Sequence, residues 1–134
     1  MAASRTFYEA FEQRDIDMMS DLWEHSDRVL CTHPGWAPLR GWSAVAASWY
    51  ALFNDAAPTQ FILTEERVDV VGDAAWVTVD ENIIGIQVGA TVSAVNVFTR
   101  TGAGWRMVVH HGSNVMTNRA PGVGRGSQPP GSPG

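Results

Sequence analysis

The sequence predicts an α+β domain in which three N-terminal helices pack against one strongly curved, mainly antiparallel sheet. Before Pro58, apolar residues recur every three or four positions, as in helices with one buried side. From Thr59 to Met116, β-branched and aromatic residues alternate with polar ones, which is typical of strands. Glycine-containing turns at 72–73, 89–90 and 102–104 divide this second half into the four strands of a meander. A sheet that curves around three helices leaves a conical hollow between sheet and helices.

Three helices and one short strand are predicted before Pro58. Ser4 and Asp15 are favourable N-cap residues, and each precedes apolar residues at helical spacing. The predicted elements are a helix over 4–14, a short helix after Asp15, a strand over 28–32 and a helix over 43–54. The segment 33–41 holds two prolines and two glycines, so it is predicted to be an irregular loop. Trp36 in this loop is expected to act as a lid.

Four strands are predicted in the second half, over 59–71, 74–87, 91–101 and 105–116, with Gly85 as a bulge or bend. The last strand is expected at the centre of the sheet. Its alternation assigns Trp105, Met107, Val109, His111 and Ser113 to the hollow, and Arg106, Val108, His110 and Gly112 to the convex face. On the second of the four strands, alternation assigns Glu81 to the hollow, and a β-bulge before it would exchange Glu81 with Asp80. Strand register therefore decides whether His110 or His111, and Asp80 or Glu81, faces the hollow.

The composition indicates one globular domain and argues against several kinds of partner. A net charge of −5, with scattered arginines and no lysine, disfavours a nucleic-acid surface. No apolar run is long enough to span a membrane, and none resembles a signal peptide. The single cysteine, Cys31, cannot form an internal disulfide. A cytoplasmic protein is therefore expected. The spacing of His, Cys and carboxylates predicts no metal site, and no cofactor is expected. The domain is predicted over 1–117, followed by a disordered Gly/Pro-rich tail over 118–134.

Four strings of the chain resemble the SnoaL-like branch of the nuclear transport factor 2-like (NTF2-like) superfamily, whose fold is the cystatin-like α+β cone. They are 7–17, 32–35, 41–49 and 104–113. The last string also resembles the end of the association domain of calcium/calmodulin-dependent kinase II. The resemblance implies the cone fold and a homodimer through the outer sheet face. This superfamily hosts isomerases, cyclases, dehydratases, hydrolases and plain scaffolds, so the resemblance implies no single activity.

The ketosteroid isomerase relatives allow a comparison by position. Where they carry a catalytic Asp before a Pro, this chain has His33. Where their oxyanion hole uses an Asp within a Val-Asp-x-Phe string, this chain has Asn96. Their oxyanion Tyr matches Phe7, and Tyr8 lies one position further, about 100° around the helix. The isomerase residues are therefore only half matched.

These residues predict a hydrophobic pocket for proton transfer beside a carbonyl group. An ordinary His has a pKa of about 6.5, so His33 can accept and return a proton at neutral pH. Asn96 and His111 are expected to donate hydrogen bonds to the enolate-like oxygen. Further predicted pocket residues are Trp36, Trp49, Phe7, Tyr8, Glu81, Phe98 and Ser113. The predicted activity is that of an isomerase or polyketide-cyclase-like enzyme acting on a hydrophobic small molecule. The alternative is a non-catalytic binding or homo-oligomeric association module, in which the aromatic residues only fill the core.

Overall fold

The computed structural model describes residues 1–55, 58–84 and 90–116, and these ranges contain three helices and one six-stranded sheet. The elements are α1 (Ala2–Gln13), α2 (Ile16–Leu22), β1 (Leu30–Thr32), β2 (Leu39–Arg40), α3 (Trp42–Asp55), β3 (Gln60–Val71), β4 (Ala74–Ile84), β5 (Ala90–Thr101) and β6 (Gly104–Asn114). The predicted α+β cone, with its four-stranded meander, is confirmed. The predicted tail at 118–134 and the predicted bend at Gly85 lie outside the described residues.

The sheet order β2-β1-β6-β5-β4-β3 explains how the N-terminal half reaches the centre of the sheet. β6 pairs antiparallel with β5 and parallel with β1, as expected for a central strand. In the parallel pair, Cys31 lies beside His110 and Thr32 lies beside His111. His33 follows Thr32 directly, so its imidazole lies close to the central strand β6.

Of the two predicted helix N-caps, the one at Asp15 is confirmed and the one at Ser4 is not. Asp15 caps α2 as predicted, because its carboxylate Oδ1 accepts a hydrogen bond of 3.0 Å from the Met18 N–H. The predicted cap at Ser4 is wrong, since α1 already begins at Ala2 and Ser4 is buried inside it. Alanine is the best helix former, and two alanines precede Ser4, which allows the helix to extend past it.

The segment 33–41 contains a strand that the sequence does not predict. β2 pairs antiparallel with β1, through Cys31 with Leu39 and Leu30 with Arg40. The chain reverses after β1 in a turn that the Trp36 N–H closes by donating to the His33 carbonyl oxygen at 2.8 Å. Gly35 takes the left-handed φ of 84° that this turn requires. Both prolines lie outside the paired residues, so neither removes a ladder hydrogen bond.

A β-bulge lies in the middle of β6. Val97 of β5 pairs with Val109, and the next residue, Phe98, pairs with Met107. Val108 is therefore the extra residue, with no partner across the ladder. One extra residue exchanges the two faces of every residue that follows it.

The bulge corrects the predicted faces at the end of β6. His110 and Gly112 are buried on the concave side, whereas His111 and Ser113 are exposed. The prediction that Val109, His111 and Ser113 face the hollow is therefore wrong, because it assumed unbroken alternation through Val108. On β4 the alternation does hold, and Glu81 is buried on the concave side as predicted.

The core lies between the concave face of the sheet and the three helices. Phe7 of α1 and Trp49 of α3 are fully buried in it, with ring centroids 5.6 Å apart in an edge-to-face arrangement. Gly112 lets the loop after β1 approach the sheet, because a Cβ there would lie 2.9 Å from Val92 Cγ1 and 3.3 Å from Pro34 Cγ. Within the described residues, no helix is long and apolar enough to cross a membrane.

Candidate functional site

A cavity of about 210 Å³ lies between the concave face of the sheet and helices α1 and α3. Most of its wall is apolar, including Phe11, Phe61 and Trp36. Trp36 is 44% exposed and packs edge-on against the His33 ring at 4.8 Å, so it lies at the rim as a lid would. Three buried ionisable side chains also line the cavity. They are His33, directly after β1, Glu81 on β4 and His110 on β6.

Glu81 is the acidic group of this cavity. It is 3% exposed, at the paired centre of β4, with Leu63 and Val92 as its cross-strand neighbours. Burial disfavours the charged carboxylate and raises the pKa of Glu81 from 4.5 to about 7, although the hydrogen bond from Tyr8 opposes this rise. Near neutral pH this carboxyl therefore exchanges between its protonated and ionised forms.

A buried chain of hydrogen bonds ends on Glu81. The Tyr8 hydroxyl donates to Glu81 Oε2 at 2.6 Å, and the Asn96 amide Nδ2 donates to the Tyr8 hydroxyl oxygen at 3.1 Å. His110 Nδ1 lies 2.6 Å from Asn96 Oδ1. An amide oxygen only accepts, so Nδ1 of His110 must carry the proton. All three donors thus point along the chain toward the carboxyl, and burial raises the pKa of Tyr8 and keeps its hydroxyl protonated.

The same chain fixes the state of His110. Its side chain is 2% exposed, and burial, together with the neighbouring His33 and His111 rings, lowers its pKa to about 3. His110 is therefore neutral at physiological pH. With Nδ1 protonated, its Nε2 is an unprotonated acceptor.

His33 is neutral for a similar reason, with the opposite tautomer. Its Nε2 lies 2.9 Å from the Ser48 hydroxyl oxygen, and that hydroxyl donates its own proton to the Val45 carbonyl oxygen at 2.7 Å. Ser48 can therefore only accept, so His33 Nε2 carries the proton and Nδ1 is the basic atom. Burial lowers the pKa of His33 to about 4.

Cys31 is a poor nucleophile at this site. It is fully buried, with Sγ 3.6 Å from His33 Nε2, and burial raises the pKa of its thiol to about 12. Its place is a packing position beneath the imidazole. Among the described residues, no three His, Cys, Asp or Glu side chains group closely enough to hold a metal ion.

The structure divides the predicted site residues into two groups. His33, Glu81 and Trp36 line the cavity, and Asn96 and Tyr8 join Glu81 through hydrogen bonds. The others lie elsewhere: Phe7, Trp49 and Phe98 are buried in the core, and His111 and Ser113 are exposed on the other face of β6.

His110 is the site residue that the sequence reasoning assigned to the wrong face. One signal was available, because Met107, Val108 and Val109 are three consecutive apolar residues and so break the alternation just before it. Such a break is compatible with a bulge. It does not by itself say which residue is the extra one.

Comparison with known proteins gives a family and two similar structures. Residues 1–118 match the family model described as a SnoaL-like domain. A candidate dehydratase of the NTF2-like family from Streptomyces avermitilis is 40% identical, with a TM-score of 0.80 over 87% of this chain and 93% of that chain. A candidate calcium/calmodulin-dependent protein kinase type II association domain from Thiobacillus denitrificans is 38% identical, with a TM-score of 0.79 over 86% and 94%.

A curated relative is larger than this chain. The F-box protein SKIP8 from Arabidopsis thaliana is 29% identical over 116 residues, which are 87% of this chain and 49% of that protein. The chain thus spans about half the length of this relative.

Replacing Glu81 by glutamine tests whether its carboxyl is buried with a raised pKa. The pKa of Glu81 is 4.5 in the unfolded chain and about 7 in the folded state, so the folded state binds the proton more tightly. Proton binding by Glu81 therefore contributes fully to the stability of the fold below pH 4.5, and this contribution is lost as the pH rises to about 7. We expect the free energy of unfolding of wild type, minus that of Glu81→Gln, to fall by about 3 kcal/mol over this range. Urea denaturation at a series of pH values measures this difference. Asp80→Asn, which removes the neighbouring carboxyl on the convex face, is the control. A difference for Glu81→Gln that does not change with pH, or the same pH dependence in Asp80→Asn, would contradict a raised pKa at Glu81.

Proposed function

Because this chain belongs to the SnoaL-like domain family, we propose that its cavity catalyses proton transfer beside a carbonyl group of a small, largely apolar molecule. One observation carries the proposal: a buried carboxyl and a buried imidazole, Glu81 and His33, line the same cavity with their usual protonation states reversed. Between pH values of about 4 and 7 the acid holds its proton and the imidazole is free to take one. The products would be those of an isomerase or a polyketide-cyclase-like enzyme.

Glu81 is the acid of the proposed reaction. Its protonated carboxyl donates a hydrogen bond to the substrate carbonyl oxygen, in an apolar cavity that strengthens such a bond. This replaces the roles expected for Asn96 and His111. One amide proton of Asn96 is committed to Tyr8, and His111 lies on the opposite face of β6.

His33 is the base. Its Nδ1 takes a proton from the carbon next to the carbonyl, the electron pair of that C–H bond forms the C=C bond of an enol, and the oxygen receives the proton of Glu81. A base with a pKa near 4 suffices when a protonated carboxyl stabilises the developing charge. Return of a proton to another carbon gives an isomer. Where the substrate carries a β-hydroxyl group, the protonated His33 returns its proton to that hydroxyl, which leaves as water, while the enol O–H proton returns to Glu81 and the carbonyl re-forms. The likeness to a candidate dehydratase supports chemistry that begins with the same enol.

Hydrogen–deuterium exchange at the methyl group of acetophenone tests the proposal. The exchange is followed in D₂O by proton NMR, and we expect wild type to accelerate it most between pH values of about 4 and 7. The exchange rate should fall below this range because His33 becomes protonated, and above it because Glu81 ionises. Glu81→Gln and His33→Phe should each lower the rate about 100-fold, and Asp80→Asn should leave it unchanged. Exchange that is absent in wild type, or indifferent to both variants, would favour the alternative of a non-catalytic binding module.

We also propose that the chain forms a homodimer through the convex face of the sheet. An apolar row crosses three strands there, in which Trp76 pairs with Val97 and Val97 with Val109, and Val95 beside this row is exposed. The likeness to a candidate association domain supports self-association. Such a face buries apolar side chains when two copies meet.

Sedimentation velocity tests the homodimer. Wild type is expected to sediment as a species of twice the chain mass, and Val95→Lys is expected to shift it toward the monomer, because it places a charge beside the apolar row. Val70→Lys is the control, since Val70 is an exposed valine at the far end of β3. A monomeric wild type, or equal effects of the two substitutions, would contradict this interface.

A further inference from the structure

The cavity contains a buried acceptor that the protein leaves open. His110 lines the cavity and is 2% exposed, and its Nδ1–H donates a hydrogen bond to Asn96 Oδ1. Among the described residues, the hydrogen bonds of this ring end at Asn96, so Nε2 has none. An acceptor on the cavity wall that has no protein partner is available to a donor on a ligand.

Two donors beside the cavity already have protein acceptors. The His33 Nε2 proton is used by Ser48, and the Tyr8 hydroxyl proton is used by Glu81. The two imidazole nitrogens that remain are unprotonated. Nε2 of His110 has no protein partner among the described residues, and Nδ1 of His33 has the Cys31 Sγ at 4.0 Å. Glu81 supplies the proton for a carbonyl in the proposed reaction, and no arginine lines the cavity among the described residues. A ligand that offers only acceptors, or a negative charge, leaves both imidazoles unpaired.

We propose that the ligand is an uncharged, largely apolar molecule with a hydroxyl or N–H group that donates a hydrogen bond to His110 Nε2. The same ligand carries the carbonyl group whose oxygen accepts a hydrogen bond from Glu81. This inference rests on the proposed function for the carbonyl and adds a second recognition point. His110 then acts as a specificity-determining residue. It distinguishes a hydroxylated substrate from an apolar analogue of the same shape.

The cross-strand neighbours support this role. Asn96 pairs directly with His110 across β5 and β6, and holds the ring in the tautomer that accepts from a ligand. Phe7 packs against the ring at 4.7 Å between centroids and limits its rotation. The acceptor is therefore fixed before a ligand arrives, which lowers the entropy cost of using it.

Isosteric ligand pairs provide the test. The three hydroxyacetophenones are compared with the three methylacetophenones, because a methyl group matches a hydroxyl in size but cannot donate. Binding is followed by quenching of tryptophan fluorescence, to which the half-exposed Trp36 at the rim contributes. In wild type we expect at least one hydroxyl isomer to bind about five-fold more tightly than its methyl partner. A purely apolar cavity would instead favour the methyl compound, since the hydroxyl loses its hydration.

Two variants assign the preference to one ring. His110→Phe keeps a planar ring but removes the acceptor, so the preference should disappear or reverse while the methyl isomers still bind. His111→Phe, the adjacent residue on the opposite face, should behave as wild type. If His110→Phe does not fold, the ¹⁵N resonance of His110 Nε2 in wild type should still shift when the hydroxyl isomer binds, and not when the methyl isomer binds.

The outcomes separate this inference from the proposed function. Methyl isomers that bind as tightly as hydroxyl isomers at all three ring positions would overturn the inference, and so would a hydroxyl preference that survives in His110→Phe. Acetophenone exchange without a hydroxyl preference would retain the proposed function and reject the donor to His110. A His110-dependent preference without exchange would retain the binding inference and reject the catalytic proposal.

Discussion

The β-bulge at Val108 determines which chemistry the concave face of the sheet can present. Without it, His110 would lie on the convex face and His111 would enter the hollow. With it, His110 pairs with Asn96, and the polar chain through Tyr8 to Glu81 is complete. A single unpaired residue in the central strand thus decides the composition of the site.

Burial of the polar groups then sets their protonation. Exposed groups of the same kinds would be ionised or half ionised near neutral pH, but here burial keeps both imidazoles neutral and leaves Glu81 near half protonation. The hydrogen bonds fix the tautomers, because Ser48 and Asn96 each accept a hydrogen bond from one ring. The result is a cavity in which each of the two imidazoles has one unprotonated nitrogen, and in which Glu81 can supply a proton. These protonation states support the proposed ligand, a small and largely apolar molecule with a carbonyl group.

The sequence predicts those features that depend on local periodicity and misses those that depend on pairing between strands. The helices, the meander and the burial of Glu81 follow from apolar spacing, and the cap at Asp15 follows from its side-chain chemistry. The bulge at Val108 depends on how β5 and β6 align, which is a non-local choice that alternation in one strand cannot reveal. The role of Tyr8 has a similar cause, since adjacent positions on α1 differ by about 100° and the packing of the helix on the sheet decides which ring reaches Glu81.

The proposed base and the proposed ligand acceptor both depend on the tautomers of the two buried imidazoles. Long-range ¹H–¹⁵N NMR of the uniformly labelled protein at about pH 6 measures them directly. We expect two neutral rings, with the proton on Nε2 of His33 and on Nδ1 of His110. A doubly protonated ring at either position, or the opposite tautomer at His110, would contradict this assignment.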